Sequence, residues 1–528
     1  MTQPAPARAP TGLAPEPAGS PAVATDRVPL IVWVIAAAFV AVALAVSARY
    51  GFMQDELYFI DAGRHLAFGY VDQPPLMPLL DQATAIFGLH PLVIRVIPAL
   101  AGGAVILTAA RFAALFGGGR RSQVLAALAM ACAPILIGAD HLGNTTPIEL
   151  LAWALVLLCV TTALLRDRPR WWLGAGAAAG VGLEDNYLLV TLLIAVLVGI
   201  IFSKYRPALR TRWPWLGVGI ATVIWSPNLV WQATHGWPQL AMSSALHIEN
   251  SAGSSYAGAV PAQLIYLGLF VTPLVVAGFV VLWRTPELRF LAIAASLVFV
   301  YVLAWVPGKP YYADGLAPVI LAAGAAAAER WLARGRHPAT RWAVLLAAPL
   351  VVTALILPLD LPILPIGAVH SLPQSSQANP NLGDTIGFPQ LARAIAAQDA
   401  ALVRAGQPPT SIFAGFYAEA AAVDVFDNAE GAGGAPSAGR TDSPSHLPPV
   451  LSGHNAYWMW GPGRASDRTV LVVDALAELR PYFGRCRLLT TYHAPYRVKN
   501  DWTNIRIGVC TSPLAGWTTL WPHLKFYG

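Results

Sequence analysis

The sequence has little charge. Only 12% of its 528 residues are Asp, Glu, Lys or Arg, whereas 56% are hydrophobic. A soluble globular domain carries about twice that charged fraction. The composition therefore excludes an ordinary soluble protein and predicts a polytopic α-helical membrane protein.

Cysteine is also scarce, with four residues in the chain. Cys132 and Cys159 lie in apolar runs and are expected to be packing residues. Cys486 and Cys510 lie in a polar region near the end of the sequence, where both a bridge and two free thiols are compatible with the pattern. A bridge there would require an oxidising compartment, because disulfides persist only in such surroundings.

The first residues lack the short apolar segment and cleavage site of a removable signal peptide. Residues 1–26 are rich in Pro and Ala and are expected to be a disordered cytoplasmic tail. Residues 28–47 then form an apolar run long enough to cross a bilayer, which takes about 20 residues. This run is predicted to be a retained signal-anchor helix, and no internal repeat is visible in the chain.

Further apolar runs bring the predicted number of transmembrane helices to about eleven. They lie at about 91–115, 123–139, 147–165, 171–184, 187–203, 214–231, 260–283, 290–306, 314–333 and 341–358. Basic clusters follow every even-numbered run, which is the cytoplasmic side if the N-terminus is inside. This bias explains the net charge of +6, so a lipid bilayer is the expected environment and nucleic acid is not an expected partner.

After residue 358 the apolar runs give way to loop-like clusters and short strand-like segments, among them Tyr457–Trp460. Residues 359–528 are predicted to form an α/β domain, large enough for a core of its own. After an odd number of spans this domain lies outside the cytoplasm. Glu430 to Ser445 is rich in Gly, Ala, Pro and Ser and is expected to be a flexible loop.

The polar stretch 51–85 follows the first span directly and contains the adjacent carboxylates Asp55 and Glu56. An ionisable group at the edge of a membrane span is costly to place, so it suggests a function. The pattern from Gln54 to Phe68 is amphipathic and predicts a short helix in the membrane interface. The sequence Asp72-Gln73-Pro74-Pro75 then ends any helix.

These residues also carry a resemblance. The Asp-Glu pair, Gly63-Arg64-His65-Leu66 and Gly69-Tyr70-Val71-Asp72-Gln73-Pro74-Pro75-Leu76 resemble glycosyltransferase family 39. That family includes protein mannosyltransferases and lipid A aminoarabinose transferases, which are GT-C membrane enzymes. The resemblance implies that residues 27–358 form a GT-C catalytic domain. It also implies inverting transfer of a sugar from a polyprenyl phosphate to a glycan, lipid or protein outside the cytoplasm.

Such a transfer needs a base for the acceptor hydroxyl and positive charge for the departing phosphate. The resemblance implies that Asp55 is the base, whereas the structural alternative is that it caps a helix. Glu56 points about 100° away from Asp55 on a helix. The two carboxylates are therefore not expected to meet one substrate atom, and Glu56 could orient Asp55 or a neighbouring loop.

The candidate ligands of the donor phosphate are Arg64 and Lys309. A guanidinium binds phosphate in a bidentate way, but Asp61 lies three residues before Arg64 and offers a helix-surface partner instead. Lys309 precedes Tyr311 and Tyr312, a pattern that lies near the donor site in the resembled family. The alternative is a snorkelling lysine beside two tyrosines of the aromatic belt.

A second polar group consists of His141, Glu149 and His235. His141 and Glu149 could bind a divalent metal ion together with Asp55, although their spacing does not require one and a capping or packing role fits as well. Asn186 stands where many relatives have a Lys, whose charge an amide cannot replace.

The motifs of the final region, including Tyr417-Ala418-Glu419-Ala420 and Ser452-Gly453-His454-Asn455, extend the resemblance but suggest no chemistry. Two rival functions remain. A transporter or flippase would place charges near the midplane and often shows inverted repeats. A catalytically degenerate polyprenyl-phosphate-binding protein is suggested by Asn186.

Overall fold

The computed structural model describes residues 27–251, 256–305, 309–334, 337–371, 380–431, 447–498 and 500–528. A helical membrane part comes first and a domain with a β-sheet follows it. The predicted disordered tail at 1–26 and most of the predicted flexible loop lie outside the described residues.

Helices form the membrane part because its apolar runs leave no water to satisfy backbone groups. They are α1 (Leu30–Ser47), α2 (Gln54–Arg64), α3 (Leu76–Thr84), α4 (Pro91–Ile94), α5 (Val96–Leu115), α6 (Arg120–Ala131), α7 (Pro134–Asp140), α8 (Thr146–Leu165), α9 (Trp171–Leu183), α10 (Leu189–Ile201), α11 (Arg212–Thr234), α12 (Pro238–Ser251), α13 (Tyr256–Leu267), α14 (Thr272–Arg284), α15 (Arg289–Trp305), α16 (Ala317–Ala333) and α17 (Pro338–Asp360).

Helices occupy each predicted apolar run, and the multi-pass prediction is confirmed. Among the described residues, 5 helices are long and apolar enough to cross a membrane, or up to 7 if each bent pair is one span. The pair α6 and α7 is bent by 57°, and the pair α13 and α14 by 90°. The predicted count of about eleven transmembrane helices is therefore not confirmed.

Small residues let the membrane helices approach closely, as expected where lipid supplies no hydrophobic drive for association. Gly278 of α14 faces α16, and a Cβ there would collide with the Ile320 carbonyl oxygen. Gly324 of α16 faces back, and a Cβ there would collide with the Leu274 carbonyl oxygen. The backbones of these two helices are therefore in direct contact.

The C-terminal domain contains a five-stranded sheet with the order β2-β1-β3-β5-β4. Its strands are β1 (Ser411–Ala414), β2 (Val450–Ser452), β3 (Thr469–Val473), β4 (Phe483–Tyr492) and β5 (Ile505–Pro513). Strand β1 is parallel to β2 and β3, whereas β5 is antiparallel to β3 and β4. Strands β1 and β3 are almost wholly buried, which explains their continuous apolar sequences.

Short helices surround this sheet. They are α18 (Pro380–Asp384), α19 (Phe388–Arg404), α20 (Tyr417–Gly431), α21 (Asn455–Trp460), α22 (Leu476–Leu479) and α23 (Trp517–Leu520). The strand prediction for Tyr457–Trp460 is wrong, because these aromatic residues belong to α21. Cys486 and Cys510 are cross-strand partners on β4 and β5 and form a disulfide, so the bridged alternative holds.

Helix α2 joins the two parts of the molecule. It is shorter than predicted, because it ends at Arg64 rather than at Phe68. Its side chains Leu57, Tyr58 and Ile60 share one hydrophobic cluster with residues of the C-terminal domain, including Ala421 of α20. The helix therefore packs against the C-terminal domain, and this packing determines the positions of the carboxylates of α2.

Candidate active site

Glu56 fixes the start of α2. The Met53 backbone N–H donates to Glu56 Oε2 over 2.7 Å, which satisfies an amide that the helix leaves free. The Gly143 backbone N–H, in the loop between α7 and α8, donates to Glu56 Oε1 over 2.6 Å. Glu56 therefore connects α2 to the loop that opens the next polar motif.

Arg95, at the junction of α4 and α5, is the charged partner of Glu56. Its Nε lies 2.6 Å from Glu56 Oε1 and its Nη2 lies 2.7 Å from Glu56 Oε2, so the pair is bidentate. Arg95 also donates to the carbonyl oxygen of Ser47, the last residue of α1, and to that of Gly51, which follows this helix. Both side chains are completely buried. This pair ties α1, α2 and α5 together.

Asp55 faces a different direction and is only partly buried. The Tyr417 hydroxyl, at the start of α20, donates to Asp55 Oδ1 over 2.7 Å. Removal from bulk water raises the pKa of Asp55, whereas the Tyr417 hydrogen bond and the Lys309 charge lower it. The Asp55 carboxylate is thus held by the C-terminal domain with a cation nearby.

A second Tyr–Asp pair lies beside the first. The Tyr58 hydroxyl of α2 donates to Asp72 Oδ1 over 2.8 Å, and the Ala456 N–H donates to the Tyr58 oxygen over 3.3 Å. The rings of Tyr58 and Tyr417 are 4.8 Å apart. Desolvation, together with a smaller contribution from the neighbouring Asp55 charge, raises the pKa of Asp72 to about 7, although the Tyr58 hydrogen bond lowers it. Two carboxylates with different environments therefore share this site.

Lys309 and its two tyrosines lie on the same side of the molecule as Asp55. The Lys309 ammonium is 6.0 Å from the centroid of the Tyr312 ring. The rings of Tyr311 and Tyr312 are 4.9 Å apart and meet edge to face. The charge of Lys309 lowers the pKa of Asp55. The ammonium group therefore lies close enough to the carboxylate to favour its ionised form.

Glu149, at the start of α8, has an amide partner. Asn186 Nδ2 donates to Glu149 Oε2 over 2.8 Å. The residue that stands in place of a family lysine is therefore bound to a carboxylate of the second polar motif. An amide carries no charge, so Asn186 adds no positive charge to the site.

Three other predicted site residues lie apart from this contact network. Arg64 pairs with Asp61 over 3.5 Å and donates to the Asp424 carbonyl oxygen over 3.3 Å. His141 is buried, with Nδ1 3.1 Å from the Ile137 carbonyl oxygen. His235 is exposed and stacks on its helix neighbour Trp231.

The possible metal site of His141, Glu149 and Asp55 does not form among the described residues. In the part of the chain that the structure describes, no group of three or more His, Cys, Asp or Glu side chains could hold a metal ion. Glu149 is bound to an amide, Asp55 to a phenol and His141 to a backbone carbonyl. His141, Glu149 and Asp55 are therefore not a ligand set.

The family model described as dolichyl-phosphate-mannose-protein mannosyltransferase matches residues 72–231. The crystal structure of ArnT from Cupriavidus metallidurans bound to undecaprenyl phosphate is similar, with a TM-score of 0.52 and 17% identity. That match covers 92% of this chain and 99% of the ArnT chain. The chain has an ArnT-like GT-C fold.

The apo state of the same ArnT gives a TM-score of 0.52 and 16% identity, covering 92% of this chain and 98% of the other. No curated protein sequence matches the chain. The resemblance to glycosyltransferase family 39 is confirmed by the family match and the fold together. The match begins at Asp72 and includes Glu149 and Asn186, whereas Asp55 precedes it.

Sequence reasoning missed three residues of this site. Asp72 is part of the motif that carries the resemblance, but the sequence does not indicate its hydrogen bond to Tyr58. Arg95 was visible as a basic residue in an apolar run on the side without basic clusters, and such a residue needs a buried partner. Tyr417 gave no signal beyond its family motif, because its partner Asp55 is 362 positions away.

Proposed function

We propose that the chain is an inverting membrane glycosyltransferase that transfers a sugar from a polyprenyl phosphate to an acceptor outside the cytoplasm. The observation that carries this proposal is the setting of Asp55. Its carboxylate is partly accessible, is held at one oxygen by Tyr417 and lies in the field of Lys309. This arrangement occurs on the fold of ArnT, a protein that binds undecaprenyl phosphate.

Asp55 is the proposed general base. Its Oδ1 is occupied by the Tyr417 hydroxyl, so Oδ2 is the oxygen that would accept the proton of the acceptor hydroxyl. The acceptor oxygen then attacks the anomeric carbon from the face opposite the phosphate, and the bond between that carbon and the phosphate oxygen breaks. One displacement inverts the configuration, and the proton on Asp55 is finally lost to water.

Lys309, with Tyr311 and Tyr312, is proposed to receive the departing phosphate. An ammonium group and phenolic hydroxyls can stabilise the negative charge that develops on the phosphate oxygen. Lys309 is held over the Tyr312 ring, which limits its conformations. Arg64 is the weaker candidate, because its guanidinium already pairs with Asp61 and the Asp424 backbone.

Glu56 is proposed to position Asp55 without touching substrate. All of its carboxylate oxygens accept hydrogen bonds from Arg95, Met53 or Gly143, which leaves it no role in proton transfer. For the whole chain we propose residues 27–358 as the catalytic membrane domain, with 51–85 as its catalytic loop. Residues 359–528 would form the domain outside the cytoplasm.

The test is transfer from a radiolabelled polyprenyl-phosphate sugar by purified protein in lipid nanodiscs, with membrane extract as the source of acceptor. The release of free polyprenyl phosphate reports turnover. Asp55→Asn should retain the expression and melting temperature of the wild type and lower the rate by about 10²–10⁴.

The matched control is Asp167→Asn, an exposed substitution of the same chemistry whose left-handed backbone also suits Asn. It should leave the rate unchanged. Donor binding without turnover in the wild type would instead favour the degenerate binding protein, and movement of donor across a vesicle without sugar release would favour a flippase. An unstable Asp55→Asn variant would make Asp55 a structural residue.

A further inference from the structure

Tyrosine hydroxyls bond carboxylates across the junction between α2 and the C-terminal domain. Tyr417 of α20 donates to Asp55 over 2.7 Å, and Tyr457 of α21 donates to Asp61 over 2.5 Å. Asp55 and Asp61 lie on the same helix, α2. The C-terminal domain therefore holds α2 through two bonds of the same kind, and one of them ends on the proposed base.

The backbone of Tyr417 is held in place by the side chain of His454. Its backbone N–H donates to His454 Nδ1 over 3.2 Å. Since Nδ1 accepts this bond, the imidazole proton is on Nε2, which donates to the Gly528 carbonyl oxygen over 2.7 Å. His454 is fully buried, and desolvation lowers its pKa to about 4, so the ring is neutral. A neutral imidazole thus connects the start of α20 to the last described segment.

Tyr417 and His454 both lie at the carboxyl edge of the parallel strands β1 and β2. Tyr417 follows the carboxyl end of β1, and His454 follows the carboxyl end of β2, which pairs with β1 in parallel. In open α/β sheets, that edge is the usual ligand-binding edge. Here this edge faces α2, and Tyr417 at the edge contacts the Asp55 carboxylate of the membrane part.

We propose that Tyr417 is a positioning residue of the transferase, which holds Asp55 Oδ1 so that Oδ2 is directed at the acceptor hydroxyl. The inference rests on the proposed role of Asp55 as the base. It makes the C-terminal domain a part of the active site. The motif Tyr417-Ala418-Glu419-Ala420, for which the sequence suggested no chemistry, acquires a role in the transfer.

The charges around Asp55 show why this hydroxyl matters. The titratable groups that interact with Asp55 besides Tyr417 are Glu56, Asp72, Lys309, Tyr311 and Asp384. Lys309 favours ionisation of Asp55, and Glu56 opposes it. A donated hydrogen bond stabilises the carboxylate form. Loss of the Tyr417 hydroxyl should therefore make Asp55 harder to ionise.

The experiment compares Tyr417→Phe with Tyr457→Phe in the full-length protein. Both changes remove one hydroxyl that bonds a carboxylate of α2, and both keep the ring. The first readout is the titration of the Asp55 carboxyl by infrared difference spectroscopy, with each variant measured against its own Asp55→Asn partner. The second is the pH dependence of transfer.

The expected result for Tyr417→Phe is a rise of the Asp55 midpoint by about one to two pH units, because a hydrogen bond to a charged group has that magnitude. The acidic limb of the rate profile should move by the same amount. Tyr457→Phe should leave both unchanged. An unchanged midpoint in Tyr417→Phe would overturn the inference whether or not the protein transfers sugar.

A second variant keeps the test valid if Tyr417→Phe does not fold. Site-specific incorporation of 3-fluorotyrosine at position 417 keeps the ring and the hydroxyl and strengthens the donor. The Asp55 midpoint should then fall, and a rise or no change would count against the inference. A shifted midpoint in a wild-type protein that transfers no sugar would refute the proposed function and leave the contact between Tyr417 and Asp55 established.

Discussion

The substitution Glu56→Gln should destabilise the protein, because the Glu56 carboxylate accepts four hydrogen bonds in a buried place. Arg95 Nε and the Gly143 N–H donate to Oε1, and Arg95 Nη2 and the Met53 N–H donate to Oε2. A glutamine has an NH₂ group in place of one oxygen, so two of these donors would face another donor. The charge of Arg95 would also lose its partner.

The magnitude follows from these contacts. Two lost hydrogen bonds to a charged group cost about 1.5–3 kcal/mol each. Removal of one partner from a buried ion pair costs about 3–5 kcal/mol by itself, because the remaining charge is left uncompensated. The two figures describe the same loss, so we expect Glu56→Gln to cost about 3–5 kcal/mol.

The assay is the apparent melting temperature of the full-length protein in detergent, measured for Glu56→Gln, Arg95→Met and the double variant. Since the two side chains contact each other, the double variant should lose less stability than the two single variants together. The matched control is Glu287→Gln. It breaks an exposed pair with Lys204, and an exposed pair contributes about 0–1 kcal/mol.

The refuting result is a Glu56→Gln protein that melts like the wild type but transfers no sugar. Such a variant would place Glu56 in the chemistry of the transfer rather than in the anchoring of α2. Additive losses in the double variant would contradict the ion pair. A destabilised Glu287→Gln control would show that the assay responds to any lost carboxylate.

Other predictions follow from single contacts. Lys309→Ala should weaken donor binding by about 1.5–3 kcal/mol and leave acceptor binding unchanged, whereas an unchanged donor KM would favour the snorkelling lysine. A cysteine at the exposed Ala405 should react with an impermeant thiol reagent in whole cells, and one at the exposed Thr211 should not; the reverse would invert the topology. The pKa of His454 is lowered from 6.5 to about 4, so the unfolded state takes up the proton first and stability is lost as pH falls from 6.5 towards 4. His454→Asn should show a smaller loss of melting temperature over that range.

Local patterns predicted those features that depend on neighbouring residues. Apolar runs predicted helices because length and hydropathy are local properties. The spacing of Arg64 and Asp61 predicted the helix-surface pair that the structure contains. The aromatic run Tyr457–Trp460 misled, because aromatic residues favour strands in general, whereas here Tyr457 bonds Asp61 from a helix.

The site depends on contacts that are distant in sequence, and these could not be predicted. Glu56 and Arg95 are 39 positions apart, and Tyr417 and Asp55 are 362 positions apart. No periodicity relates such residues, since each pairing depends on how whole elements pack. A family motif can indicate that Tyr417 matters, but only the fold gives it a partner.

The adjacent carboxylates of α2 divide two tasks because a helix separates them by about 100°. Glu56 turns inward, where Arg95 compensates its charge and ties the helix to α1 and α5. Asp55 turns towards the C-terminal domain, where a neutral phenol holds one oxygen and leaves the charge available. A base must keep a free charge, whereas an anchor must have its charge neutralised. In the proposed mechanism, two adjacent carboxylates therefore serve different purposes because their partners differ, a guanidinium for Glu56 and a hydroxyl for Asp55.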